Sequence, residues 1–264
     1  MGIINVTPDS FSQDGIFRDD YVAHAVRQAE AMIAAGADIL DIGGESSRPG
    51  ATMLSPEEER KRVIPVLEAL AKRVDLPLSV DTYKPEVARA ALEAGASIVN
   101  NIKGTQLDEA LLQCLRKTQA GIILMHMYGA PETMQETFSY NDCVGEIRAA
   151  LKSAIQQCAA GGIAAEKIVV DPGVGFGKSV QHNLQILNRL AELEELNRPV
   201  LIGTSRKSFI GHILNKDVQG RLSGSLASAC VAVMHGAHIL RVHDVGATRE
   251  AVDMLDAITR EGIL

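Results

Sequence analysis

Six residues, Asn5, Asp81, Asn100, Asp171, Arg241 and His243, stand at or just past the ends of short aliphatic or β-branched runs. Other runs are followed by Glu45 to Arg48, His126, Ser205 to Lys207 and Asp244. A carboxylate behind such a run needs a partner, because an unpaired buried charge is costly. Asp81 in "SVDT" and Asp171 in "VVDPG", with the amide of Asn100, suit a ligand rich in N–H groups. A flat heterocycle with an amino-amide edge, such as a pterin or guanine, presents that pattern. Internal capping of loops is the plainer role for such Asp residues. Arg241 and His243 lie two apart and so share one side of a strand. With Arg48 they form a clamp for phosphate or diphosphate oxygens. Asn5 would add a carbonyl ligand to Mg²⁺ shared with those phosphates. Lys207 in "GTSRKSF" sits where a helix starts, a place that favours anions.

Nothing pairs a nucleophile with a base. "DPGVGFGKS" (171–179) resembles a phosphate loop but has Pro172 where the first glycine of that motif must stand. Its Gly173, Gly175 and Gly177 read as loop glycines that let backbone approach a ligand, with Phe176 as a wall. The remaining histidines, such as His24, His182, His212, His235 and His238, show no ligand spacing.

These groups meet only if the elements between them bring strand ends to one face. Strands are expected at 2–6, "ADILDIGG", "LPLSVDT", "ASIVNN", "AGIILMHM", "KIVVDPG", "RPVLIGTS" and "HILRVHD". Helical periods fill 20–35, 56–73, 85–94, 108–117, 143–160, 181–195, 206–235 and 246–260. Strands too apolar to alternate, separated by helices, are parallel strands. Eight such units in 264 residues predict a single α/β domain, a (β/α)8 TIM barrel over 1–264. An open nucleotide-binding sheet would carry GxGxxG after its first strand, where this chain has "NVTPDSF".

Composition narrows the classes further. Hydrophobic residues make up 46% and charged residues 22%, which supplies a core and excludes disorder. The formal charge of −7, with Lys and Arg scattered, argues against a nucleic-acid partner. No apolar stretch reaches membrane-spanning length, so no membrane partner is expected. Cys114, Cys143, Cys158 and Cys230 lie far apart and read as reduced thiols of a cytoplasmic protein.

"NVTPDSF", "GGESSRPGA", "SVDTYKP", "MHMYGAPETMQ", "DPGVGFGK", "SRKSFIG" and "RVHDV", in this order, resemble the dihydropteroate synthase family, from Gly2 to about Val245. The resemblance implies condensation of 6-hydroxymethyl-7,8-dihydropterin diphosphate with 4-aminobenzoate, release of diphosphate, and inhibition by sulfonamides. It implies a pterin site at Asp81, Asn100, Met125, Asp171, Phe176 and Lys207. Diphosphate and Mg²⁺ fall to Asn5, Arg48, Arg241 and His243, with Asn5 as the metal residue. Aminobenzoate would lie among Phe11, Ser47, Pro49, Lys207 and Ser208, under loops 8–18 and 46–54. Thr7 to Gly15 would close over the leaving group as a mobile lid. Asp81, Lys207, Arg241 and His243 would carry catalysis, and the family's habit with the apolar final helices makes a homodimer the expected assembly. Asn101 and Lys103 depart from the family pattern beside Asn100, and Ser47 replaces a usual Thr. The chain also begins inside strand one, without the hairpin that commonly plugs the barrel's far end. Two other functions are set against this one: a methyltetrahydrofolate-binding methyltransferase, which has no use for a diphosphate clamp, and a non-catalytic pterin-binding paralogue.

Overall fold

The computed structural model describes residues 1–7, 20–46, 53–129 and 139–262. Strands β1 (Gly2–Asn5), β2 (Leu40–Gly43), β3 (Leu78–Asp81), β4 (Ile98–Asn101), β5 (Gly121–Met125) and β6 (Ile168–Asp171) form one parallel sheet in chain order. β7 (Leu201–Ile202) pairs with β8 (Ile239–Leu240). Parallel bridges Val170–Val200 and Gly2–Val242 join the two arcs. At the second seam the Ile3 N–H donates to Val242 O and the Val242 N–H to Met1 O, each at 3.0 Å. Every strand therefore has two neighbours, and the sheet is the expected closed (β/α)8 barrel in a single domain.

The helices are α1 (Tyr21–Ala34), α2 (Pro56–Ala71), α3 (Pro85–Glu93), α4 (Glu109–Thr118), α5 (Cys143–Ala160), α6 (Val180–Asn188), α7 (Ser208–Leu214), α8 (Leu222–Met234) and α9 (Val245–Arg260). α2 starts at a reciprocal cap: Ser55 Oγ accepts from the Glu58 N–H at 3.2 Å, and Glu58 accepts from the Ser55 N–H at 3.1 Å. The helix expected over 206–235 is broken. Asn215 ends α7 in the left-handed region, φ 51°, and a 3₁₀ turn at Gln219–Arg221 precedes α8. The expected 181–195 helix is α6 followed by a 3₁₀ stretch, Leu190–Leu196.

Alternation along the strands builds the interior in layers. Met1, Ile39, Ile98, Ile123, Val169, Leu201 and Ile239 pack together as an apolar floor. Two residues further along the same strands come Ile3, Asp41, Asn100, Met125, Asp171, Gly203 and Arg241. The polar layer is the next inward step above the floor, so the packing that closes the barrel also aims these side chains.

Candidate active site

A cavity of about 440 Å³, open mouth included, lies at the carboxyl ends of the strands. Asp81, Asn100, Met125, Asp171, Phe176, Lys207, Arg241 and His243 all line it, so expected pterin and diphosphate groups share one space. The apolar part of its wall is Ile3, Ile102, Met125 and Phe176, and Met127 and Tyr83 pack against Ile102 and Met125 in the same small cluster.

At the centre is an ion network that the strand-end residues alone do not disclose. Arg241 Nε donates to Asp41 Oδ2 at 2.6 Å and its Nη2 to Asp81 Oδ2 at 2.7 Å. Asn100 Nδ2 donates to the same Asp41 oxygen at 3.0 Å. Asp41 is wholly buried and in mid-strand; it was absent from the expected site. The sign that marks it is its place two residues past Ile39, the same step that separates Arg241 from Ile239. Burial pushes the Asp81 carboxyl up to about 7, against the pull of Arg241 and with Asp41, Glu59 and Glu45 adding like charge. Burial works against the Arg241 charge too, but Asp41 and Asp81 outweigh it and hold the guanidinium above its ordinary value. Arg241, expected to clamp an anion with His243 and Arg48, is thus already bonded through two of its nitrogens. Its Nε and Nη2 N–H groups are held by carboxylates, and Nη1 is left for a ligand.

Asp171 is buried, and its Oδ1 accepts the Gly173 N–H at 2.7 Å. Burial raises its pKa, with Lys207 the strongest opposing charge. Lys207 donates to the Val174 carbonyl and stands 4.5 Å above the Phe176 ring. Burial pushes its ammonium down to about 8, with Asp171 resisting. His243 Nδ1 lies 3.0 Å from Ser205 Oγ, whose oxygen also accepts the His243 N–H at 3.2 Å. A Cβ placed on Gly43 would meet Asp81 Oδ2 at 3.8 Å and Asn5 Oδ1 at 3.9 Å, so Asn5 reaches the same ground from β1.

Other strand-end groups turn away. Arg206, with φ 57°, forks onto Asp244 at 2.9 and 2.7 Å, and neither lines the cavity. Glu45 is held by Lys84 at 2.6 Å, and Lys84 also meets Glu59 at 2.5 Å. His126 faces Lys178. Ser208 is exposed at the start of α7 and is not among the lining residues. Gly173 and Gly177 have φ 69° and 63° and press against the segment just past β5: a Cβ on Gly173 would lie 1.9 Å from His126 O, and one on Gly177 would lie 2.6 Å from Tyr128 O. Asn101 turns its Oδ1 to the Lys103 N–H at 2.8 Å, closing a local turn, so the departure beside Asn100 leaves Asn100 itself to Asp41. Phe11, Ser47, Arg48 and Pro49, and most of the expected lid, lie outside the described residues.

Acids, an amide and Arg241 in one layer deep in the barrel, Lys207 and His243 in the same cavity, and a thin apolar wall suit a flat N–H-rich ring carrying an anionic tail. The model of the pterin binding enzyme family matches residues 1–243, and the chain belongs to that family. Within it, the chain is 50% identical over 257 residues to the dihydropteroate synthase of Escherichia coli K12, covering 97% of this chain and 90% of that relative. The crystal structure of Yersinia pestis dihydropteroate synthase with a sulfonamide drug complex superposes with a TM-score of 0.92 at 46% identity, over 99% of this chain and 94% of that one. The Xanthomonas albilineans dihydropteroate synthase in complex with 7,8-dihydropteroate superposes with a TM-score of 0.88 at 41% identity, over 98% and 92% of the two chains. Its place among the pterin-binding enzymes is with the dihydropteroate synthases, transferases of folate biosynthesis.

Proposed function

We propose that this chain, acting as one pterin-binding barrel over 1–264, condenses 6-hydroxymethyl-7,8-dihydropterin diphosphate with 4-aminobenzoate to give 7,8-dihydropteroate and diphosphate. The observation that carries the reading is that Arg241, His243 and Lys207 line the same cavity as Asp81, Asn100 and Asp171. The acids and the amide take the N–H edge of the pterin, Met125 and Phe176 flank the ring, and Lys207 covers it. Arg241 offers its Nη1 edge, and His243 its ring, to the diphosphate.

The bond between the pterin methylene and the bridging oxygen breaks, and its electrons leave on diphosphate. The electron-rich ring spreads the resulting positive charge, helped by the negative charge of Asp41 and Asp81 in the same network. The amine lone pair of 4-aminobenzoate then forms the new C–N bond, and the amine's proton passes to the departed diphosphate or to water. A weak nucleophile suffices because the leaving group departs first. One well-placed donor to a developing oxyanion is worth ~3 kcal/mol, which sets the scale of the Arg241 contribution.

Asp81 Oδ2 is taken by Arg241 Nη2, and Asn5 offers beside it a hard carbonyl oxygen that fits Mg²⁺, which takes few protein ligands and completes its shell with phosphate oxygens and water. Asn5 would hold the ion there, and the ion would supply further charge neutralisation at the diphosphate. Aminobenzoate, and sulfonamides in its place, would enter at the mouth by Lys207 and Ser208, with Phe11, Ser47, Pro49 and, for the diphosphate, Arg48 completing the two loops.

A homodimer accounts for an apolar face on the last two helices. Val231 and Met234 of α8 and Met254 and Ile258 of α9 are exposed, at 39%, 65%, 62% and 60%, and Cys230 of α8 lies against Ala251 of α9. A second copy covers this face, and sedimentation of the wild type against Met234→Glu reads it as a shift from dimer to monomer. Among the described residues no helix is long and apolar enough to cross a membrane. All four cysteines are free, in keeping with the reducing cytoplasm.

Diphosphate release with Mg²⁺, measured with and without 4-aminobenzoate, tests the reading. Release that depends on the amine and yields dihydropteroate supports it. Pterin binding without release would overturn it in favour of a binding protein.

A further inference from the structure

Lys178 is buried to 2% exposure, yet every acceptor it meets is uncharged. Its Nζ lies 3.2 Å from His126 Nδ1 and donates to the carbonyls of His126 at 3.3 Å and Phe176 at 2.8 Å. Three N–H bonds meet three acceptors, one set at the carboxyl end of β5 and one in the loop after β6. A buried ammonium whose hydrogen bonds all go to neutral groups is costly, and a chain needing only to fill space there would use an apolar side chain.

We propose that Lys178 is a positioning residue for the pterin wall: it rivets loop 173–178 to the end of β5 and so sets where Phe176 and the Val174 carbonyl stand in the cavity. The proposal rests on the pterin reading of that cavity. Three further contacts converge on the same seam. Gly173 and Gly177 bring the loop against the His126 and Tyr128 carbonyls, and Tyr140 Oη donates to Gly177 O at 3.1 Å. Gly175 N–H donates to Asn183 Oδ1 at 2.7 Å, fixing the loop to α6 as well. Lys207 reads the result, since it donates to Val174 O and stands over Phe176.

The rivet also suits its partners' protonation. Burial and the neighbouring Lys178 push the His126 imidazole down to about 3, so the ring is neutral and its Nδ1 accepts. Burial pushes Lys178 itself down to about 7, with Cys143 and Asp171 resisting. When the ammonium loses its proton, the imidazole in its other tautomer donates to the amine, and the two carbonyls keep their donors. The link across the seam persists in either state.

Two variants test it in the full chain: Lys178→Met, which removes the rivet, and Gly177→Ala, which forces the loop off Tyr128 O without touching the lysine. Binding of the pterin diphosphate is measured by calorimetry, and KM for 4-aminobenzoate at saturating pterin diphosphate. Both variants weaken pterin binding about tenfold or more, the scale of losing a charge-assisted hydrogen bond. KM for 4-aminobenzoate rises by less than pterin binding falls, because of the two substrates only the pterin rests on Phe176 as well as on Lys207. If Lys178→Met does not fold, Gly177→Ala decides. Folded variants that bind pterin as the wild type does, or that lose both substrates equally, would overturn the proposal. A wild type that binds no pterin would instead overturn the site reading itself.

Discussion

Replacing Asp41 by asparagine removes one charge from the centre of the site at almost constant volume. Its Oδ2 now serves two donors, Arg241 Nε at 2.6 Å and Asn100 Nδ2 at 3.0 Å. An amide oxygen can stay with one of them, but as a neutral acceptor it holds the guanidinium about half as strongly. Breaking a buried pair outright costs about 3–5 kcal/mol, but Asp81 still holds the other edge of Arg241 at 2.7 Å. The loss is therefore nearer that of one hydrogen bond to a charged group, about 2 kcal/mol. For a chain of this size that lowers Tm by about 4–8 °C. The kinetic loss is larger. With its Nε edge released, Arg241 no longer holds its donor on the departing oxygen, and one such donor sets turnover by about 100-fold. Diphosphate release and a thermal melt, run on one preparation, read both effects, while KM for 4-aminobenzoate stays within about threefold. Unchanged turnover and Tm would refute the network, and a loss wholly in aminobenzoate KM would refute Asp41's place in it.

Asp81 has its pKa raised from 3.8 to about 7, so between these values the native state binds more protons than the unfolded chain, and stability falls as pH rises across that window. In ligand-free protein, thermal melts of Asp81→Asn against wild type should therefore favour the variant increasingly from pH 5 to pH 8, while wild-type turnover falls as pH drops through about 7 and the acceptor for the pterin N–H is lost. Lys207, pushed down to about 8, should give wild-type pterin affinity a basic limb that drops as pH passes that value. Pterin titrations at two pH values on either side should find that limb missing in Lys207→Met. Gly173→Ala places a Cβ 1.9 Å from His126 O at a φ of 69°, and denaturant unfolding should show a loss of about 2 kcal/mol or more.

Most of the barrel was legible because its signals are local: each strand is a short aliphatic run, and each helix between runs shows its period. The cavity residues were legible for the same reason, since a polar residue two steps past an apolar one must sit a layer above it. Arg241 after Ile239, Asn100 after Ile98 and Asp171 after Val169 all follow that rule. Asp41 follows it too, after Ile39, but it lies within β2 rather than at its end, so attention to strand ends passes over it. Which carboxylate holds Arg241 depends on barrel closure, and no single segment contains that information. The break of the expected 206–235 helix turns on Asn215 entering the left-handed region, one residue in a segment whose period looks continuous. The contacts of Arg206 with Asp244 and of Lys178 with His126 are likewise tertiary, and they remove from the cavity groups that sequence position alone would put there.

The central claim is that one cavity holds the ring by its acids and the diphosphate by its cations. A crystal structure of the protein with the pterin diphosphate bound tests this most directly. The account predicts the ring edge on Asp81, Asn100 and Asp171, with diphosphate oxygens within hydrogen-bond distance of Arg241 and His243. A ring bound elsewhere, or a diphosphate that touches neither Arg241 nor His243, would contradict it.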